Sequence, residues 1–123
     1  MRVGVDIVEI ARIVRTIERA PSFLSRVYTE GELQLADECK GSRRNELLAG
    51  RFAAKEAALK ALRVGIGELN WLREVEVVSG LNGSPELRFS GAIAKIAAEN
   101  GFSDCQVSIA HEAGLATAFV LLS

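Results

Sequence analysis

Val3-Gly4-Val5-Asp6-Ile7-Val8-Glu9-Ile10-Ala11-Arg12-Ile13 changes its period part-way along. Val3, Val5 and Ile7 alternate with Gly4 and Asp6, the two-residue repeat of a strand that buries one face. From Glu9 the repeat lengthens: Ile10, Ile13, Val14 and Ile17 fall at helical spacing and predict a helix with one buried stripe, while Arg12, Arg15 and Arg19 line another face. A strand running directly into an amphipathic helix sets the expectation of mixed helices and strands. It also places a carboxylate, Asp6, inside a strand pattern.

Outward from this stretch, Ala20-Pro21-Ser22 ends the first helix, and Thr29-Glu30-Gly31-Glu32 has the reciprocal pattern of a capping box opening a second, which Lys40-Gly41 closes. Asn45 through Leu62 is rich in strong helix formers and predicts the longest helix, stopped before Gly65-Ile66-Gly67. Gly50 inside it costs about 1 kcal/mol relative to alanine, which points to close packing or to a backbone approached by another group. Val75, Val77 and Val78 with Leu87 and Phe89 flank Asn82-Gly83-Ser84-Pro85 and read as two strands joined by a turn. Ser90 is placed to cap a short helix that Gly101 ends. Gln106–Ala110 and Ala116–Leu122 read as closing strands, the last apolar on both faces and so central in its sheet.

At 123 residues and 49% hydrophobic, the chain has the size of one compact domain, 1–123, with a genuine core. Its 15 basic and 16 acidic residues nearly cancel, so no overall field argues for nucleic acid or an acidic membrane as partner, and electrostatic recognition must be local. The opening residues lack the apolar run of a secretory signal, and no later stretch has the length and apolarity of a membrane span; a cytoplasmic protein is expected. Cys39 and Cys105 have no partner at metal-ligand spacing and read as free thiols in a reducing compartment, with a single disulfide as the alternative.

Common nucleophilic chemistry is disfavoured: there is one histidine, no Gly-x-Ser-x-Gly, and no Gly-x-x-x-x-Gly-Lys loop. Gly65-Ile66-Gly67 is too short for a dinucleotide fingerprint and follows a helix rather than a strand. In Arg51-Phe52-Ala53-Ala54-Lys55-Glu56-Ala57-Ala58-Leu59-Lys60-Ala61-Leu62, Glu56 and Lys60 share one helical face, which taken alone reads as an exposed pair contributing about 0.3–0.5 kcal/mol. Asp6 alters that balance, because a carboxylate among strand valines needs a counter-charge, hydrogen bonds or a cation. Two carboxylates from separate elements, without a cysteine or histidine cluster, suit a hard ion such as magnesium that takes its other oxygens from water and phosphate.

Three segments, in order, resemble the motifs of the holo-acyl-carrier-protein synthase family, the small class of phosphopantetheinyl transferases. They are Val3 through Ile13; Leu48-Ala49-Gly50-Arg51-Phe52-Ala53-Ala54-Lys55-Glu56-Ala57 through Lys60-Ala61-Leu62; and Val107-Ser108-Ile109-Ala110-His111-Glu112. The resemblance runs from near residue 2 to the C-terminus. It implies an α+β domain with an antiparallel sheet, a homotrimer with sites at the subunit boundaries, and transfer of the phosphopantetheine arm of coenzyme A to a serine of an apo acyl carrier protein. It assigns Asp6 and Glu56 to the magnesium ion, and Lys60 to the phosphates.

The enzyme then needs no serine of its own and works by positioning and neutralising, with fatty acid biosynthesis as the implied setting. The resemblance also implies a role for His111 near the coenzyme A phosphates or the reacting centre, general base being one option; by itself a lone histidine ending a strand reads as a structural hydrogen-bonding group. Arg51 either binds a phosphate or ties Glu46 across the helix. By the same analogy Asn82, Gly83 and Pro85 lie near the adenine and ribose. Arg43, with Arg44, suits the 3'-phosphate, although two exposed arginines near a helix start need no ligand. Acyl carrier proteins resemble small acidic helical bundles, so the basic face of the first helix, Arg12 above all and then Arg15, is the expected docking surface. Pro21-Ser22-Phe23 stands where the family often carries further basic residues, and Arg26 is a substitute. The rivals are a nucleotide-sensing module of the same fold and a magnesium-dependent phosphohydrolase.

Overall fold

A computed structural model of the protein describes residues 1–65 and 70–123. Strand β1 (Arg2–Glu9) runs into helix α1 (Ile10–Arg19), followed by α2 (Ser22–Val27), α3 (Glu30–Asp37) and the long α4 (Ser42–Leu62). The short α5 (Asn70–Arg73) leads to a hairpin of β2 (Val75–Ser79) and β3 (Pro85–Phe89), then α6 (Gly91–Glu99), β4 (Cys105–Glu112) and β5 (Leu115–Leu122). All strand pairs are antiparallel: β2 with β3 in one sheet, and β1-β5-β4 in the other. As its apolar composition predicts, β5 is the central strand.

The strand repeat in β1 is real, and the face that meets the core is the one carrying Gly4, Asp6 and Val8. Gly4 and Val8 are buried with Asp6 half-buried beside them, whereas Val3, Val5 and Ile7 are exposed. The reason lies at Gly4, where an added Cβ would sit 2.0 Å from the Ala57 carbonyl oxygen and 2.8 Å from Ala61 N. Only glycine lets α4 approach β1 so closely, and that approach turns Asp6 inward with it. The valines are left on the outer face in cross-strand rows with Phe119, Thr117 and Leu121 of β5.

Helix α4 is the hub of the fold. Gly50, Ala53, Ala54, Ala57, Ala58 and Ala61 are all buried, forming a low surface on which the sheet packs. Gly50 is needed for the predicted reason of close packing: a Cβ there would meet His111 Nε2 at 2.8 Å and Ile109 Cγ2 at 3.0 Å. The helix begins at Ser42, earlier than the expected Asn45, because Gly41 takes φ 59 and turns the chain into it. It ends at Leu62, where Arg63 in the left-handed region (φ 60) donates to Lys60 O at 3.0 Å and Val64 N donates to Leu59 O at 3.0 Å. Ile66-Gly67 of the expected stop signal lies outside the described residues.

Pro21 breaks α1 as expected, but the chain re-enters a helix at once in α2, which brings Phe23 against Tyr28 and Phe52. The predicted capping box on α3 is complete: Glu32 N donates to Thr29 Oγ1 at 3.2 Å, and Thr29 N donates to Glu32 Oε1 at 2.8 Å. Ser90 stands at the start of α6 without a side-chain capping bond; Glu74 Oε1 accepts from Ile93 N instead, at 3.1 Å. Gly101 (φ 79) ends α6 as predicted. Both cysteines are free. Among the described residues no helix is long and apolar enough to cross a membrane.

Candidate active site

Asp6 and Glu56 come together because β1 lies on α4. Asp6 is on the inward face of β1 and Glu56 on the flank of α4 that also carries Phe52 and Lys60, four residues to either side. The three polar groups open into a cavity of about 430 Å³ whose other walls are Ile7, Val8, Arg12, Ile13, Thr16, Phe23 and Phe52. Its wall is therefore part charged and part apolar and aromatic.

Lys60 does not pair with Glu56, as the spacing on the helix alone suggests. Its Nζ reaches back to Asp6 Oδ1 at 2.9 Å and donates to Val5 O at 3.1 Å. The Lys60 side chain is 56% exposed and that of Asp6 only 15%, so the ammonium stands at the mouth of the site and the carboxylate behind it. Glu56 is 8% exposed. Burial, and secondarily the Asp6 charge, hold its carboxyl above the ordinary range, with Lys60 opposing them. Two carboxylates pressed together beside one exposed ammonium present an excess of negative charge, which a divalent cation would relieve. Among the described residues no cluster of three His, Cys, Asp or Glu side chains exists. A cation here would draw most of its ligands from outside the protein.

The remaining predicted residues are spread over other parts of the chain. Arg12 lines the cavity, on an exposed face of α1. Arg15, also exposed, borders a neighbouring groove with Ile10, Val14, Asn45 and Glu46. Arg43 lies in the exposed first turn of α4 and Arg44 approaches Asp37 at 3.8 Å. Arg51 forms no ion pair with Glu46 among the described residues, and its buried Nε has no hydrogen-bond partner. Asn82 (φ 64) and Gly83 (φ 75) lie on an exposed 3-10 turn, with Pro85 starting β3. His111 Nε2 is 2.8 Å from Glu46 O, so this nitrogen carries the proton and Nδ1 is the ring's other nitrogen. Neither His111 nor the turn reaches the Asp6–Glu56 cavity of the same chain.

The aromatic wall was not foreseen. Phe52 falls at the same helical phase as Glu56 and Lys60, a signal present in the sequence, whereas Phe23 depends on α2, which the proline break concealed.

Residues 2–119 match the sequence profile of the 4'-phosphopantetheinyl transferase superfamily. The chain belongs to that superfamily. As a phosphopantetheinyl transferase it is an enzyme, and its relatives narrow the group. A holo-acyl-carrier-protein synthase of Carboxydothermus hydrogenoformans is 46% identical over 120 residues, 97% of this chain and 94% of that protein. The crystal structure of the Helicobacter pylori holo-acyl-carrier-protein synthase in complex with coenzyme A superposes with a TM-score of 0.82 at 31% identity, covering 98% of this chain and 99% of the other. The Neisseria meningitidis synthase gives 0.87 at 32% identity over 99% and 97%. The three transferase motifs thus sit on a matching fold, with the first two meeting at Asp6 and Glu56.

Proposed function

We propose that residues 1–123 act as one domain that transfers the 4'-phosphopantetheine group of coenzyme A to a serine hydroxyl of an apo acyl carrier protein and releases adenosine 3',5'-bisphosphate. The observation that carries this reading is the pairing of Asp6 with Glu56 beside Lys60, in a cavity edged by the basic face of α1. The coenzyme A complex of the similar Helicobacter pylori synthase supports coenzyme A as co-substrate. Cytoplasmic fatty acid biosynthesis is the setting we assign.

The donor set fits magnesium: two hard carboxylate oxygens, and coordination positions left over for water and phosphate. Asp6 and Glu56 would hold the ion, which when bound supplies charge neutralisation on the phosphate oxygens. Lys60, exposed at the mouth of the site, is the group we assign to the charge developing on the departing bisphosphate. The serine oxygen bonds to the pantetheine-side phosphorus as the bond from that phosphorus to the bridging pyrophosphate oxygen breaks. The serine proton passes to a carboxylate, that of Glu56 or one on the carrier, or to a water at the site.

The same reading makes the enzyme a homotrimer. Val3, Val5, Ile7 and Phe119 on the outer sheet face are each about half exposed, an apolar surface of the kind that subunit contacts cover. In a closed ring each chain presents unlike patches to its two neighbours. Arg43, Arg51, Asn82, Gly83, Pro85 and His111 of one chain then have a route to the coenzyme A held at the carboxylate pair of the next. The unpartnered Nε of Arg51 supports a phosphate contact. Arg12 and Arg15 meet the acidic carrier.

The test follows adenosine 3',5'-bisphosphate release with magnesium, with and without an apo carrier. Release that needs both carrier and magnesium, and that vanishes in Asp6→Asn while the variant keeps its circular dichroism and assembly size, is expected. Release without carrier would make the protein a phosphohydrolase, and tight coenzyme A binding with no release would make it a sensing module.

A further inference from the structure

The contact of Ala57 and Ala61 with Gly4 sets how closely α4 approaches β1. A surface of glycine and alanine holds a helix less firmly along its axis and about it, and a directional tie lies on another flank of α4. One residue before Glu56, Lys55 is fully buried and points away from the cavity. Its Nζ donates to Glu32 Oε1 at 2.7 Å, Val75 O at 2.7 Å and Leu72 O at 3.0 Å, so all three ammonium protons are used. Glu32, also fully buried, is itself fixed: Oε1 accepts from Thr29 N at 2.8 Å and Oε2 from Val77 N at 2.8 Å. Thr29 Oγ1 in turn donates to Glu76 Oε2 at 2.6 Å.

This ion pair is the one wholly buried pair among the described residues. It joins α3, the end of α5 and the start of β2 to the middle of α4. Among the described residues the other side-chain ties to α4 lie in its first third or its last turn: Arg44 to Asp37, His111 to Glu46 O and the buried bond of Tyr28 to Leu48 O before Lys55, and Lys60 to Asp6 and Arg2 to Leu62 O at 3.4 Å after it. Burial pulls the Lys55 ammonium below its ordinary proton affinity, and Glu32 opposes that shift. Two fully desolvated charges are poor stabilisers compared with apolar residues of the same size, and buried pairs are best attested where they fix one arrangement among several.

We infer that Lys55, acting through Glu32, is a positioning residue: it sets the axial height and rotation of α4 so that Glu56 meets Asp6. The inference rests on the transferase reading of that carboxylate pair. Lys55 touches no substrate; its loss acts through Glu56.

The test compares Lys55→Met, which deletes the three bonds at similar volume, with Glu32→Gln and with Ile93→Ala, a cavity variant on α6 remote from the carboxylates, all assayed well below their melting temperatures. Lys55→Met is expected to lower kcat about 10- to 100-fold with carrier KM unchanged, and to weaken Mn2+ binding, read by electron paramagnetic resonance without substrates, about tenfold. Ile93→Ala is expected to lose melting temperature alone. Should Lys55→Met not fold, Glu32→Gln carries the same expectation. Wild-type kcat and Mn2+ affinity in a folded Lys55→Met or Glu32→Gln, with only the melting temperature lowered, would overturn the inference and leave the transferase reading standing. Absence of transfer by the wild type would overturn both.

Discussion

Replacing Gly4 by alanine tests whether the approach of α4 to β1 sets the geometry of the carboxylate pair. The added Cβ would lie 2.0 Å from Ala57 O, 2.8 Å from Ala61 N and 3.0 Å from the Ala57 carbonyl carbon. All three are backbone atoms, so no side chain can turn aside to make room. Restoring an ordinary contact of 3.4 Å to the carbonyl oxygen requires α4 to retreat by about 1.4 Å. Glu56 travels with α4 and Asp6 stays with β1. A displacement on the order of 1 Å at a reacting centre costs about 100-fold in rate, equivalent to about 2.7 kcal/mol in the barrier. Overpacking of a tight core costs about 1–3 kcal/mol of stability, a fall of about 4–12 °C in Tm for a chain of this size. The assay is carrier modification at saturating coenzyme A, below the Tm of the variant, beside a calorimetric melt. Gly65→Ala, with no atom of the described residues within 4 Å of the new Cβ, is the control and should leave both quantities unchanged. A Gly4→Ala protein with kcat within about twofold of wild type and an unaltered Tm would refute the reasoning.

Three further outcomes are expected. A carboxyl group whose folded pKa is raised contributes stability below the ordinary carboxylate range and loses it as pH rises through the folded value; Glu56 is such a group. In metal-free buffer Glu56→Gln should therefore melt with the wild type near about pH 4 and above it at about pH 7, and a wild type that is the more stable at neutral pH would remove the shift. Gly50→Ala pushes a methyl to within 2.8 Å of His111 Nε2; imidazole nitrogen shifts measured by NMR should report loss of the bond to Glu46 O, with stability lower by about 1–3 kcal/mol. Arg12→Glu should raise KM for the carrier by about tenfold or more, most at low salt, with coenzyme A binding unchanged; equal carrier affinity would take Arg12 off the docking face.

The order of elements was legible where local rules decide it. The period change after Ile7, the capping box at Thr29 and Glu32, the glycine that ends α6 and the central place of β5 all appear as read. The buried face of β1 was not, because alternation shows that a strand has two faces without showing which one meets the core; here a glycine outweighed three β-branched residues by admitting a helix. Asp6 and Glu56 were legible as two carboxylates of suitable chemistry, but their meeting depended on that same contact between Gly4 and Ala57. Lys55 looked like one more charge in a helix rich in Lys and Glu, and nothing local marks its burial. Its partner Glu32 was visible only as half of a capping box, a role it fills with one oxygen while the carboxylate also anchors Lys55 and Val77. His111 was visible as a motif residue, and the chain places it against Gly50 of α4 rather than at the carboxylates.

The most direct test of the central claim is the intact mass of a purified apo acyl carrier protein after incubation with this protein, coenzyme A and magnesium, with parallel samples containing EDTA or the Asp6→Asn variant. The account predicts a gain equal to one phosphopantetheine group, absent from both parallel samples. An unchanged carrier mass in the presence of magnesium, across several apo carriers and despite coenzyme A binding, would contradict it.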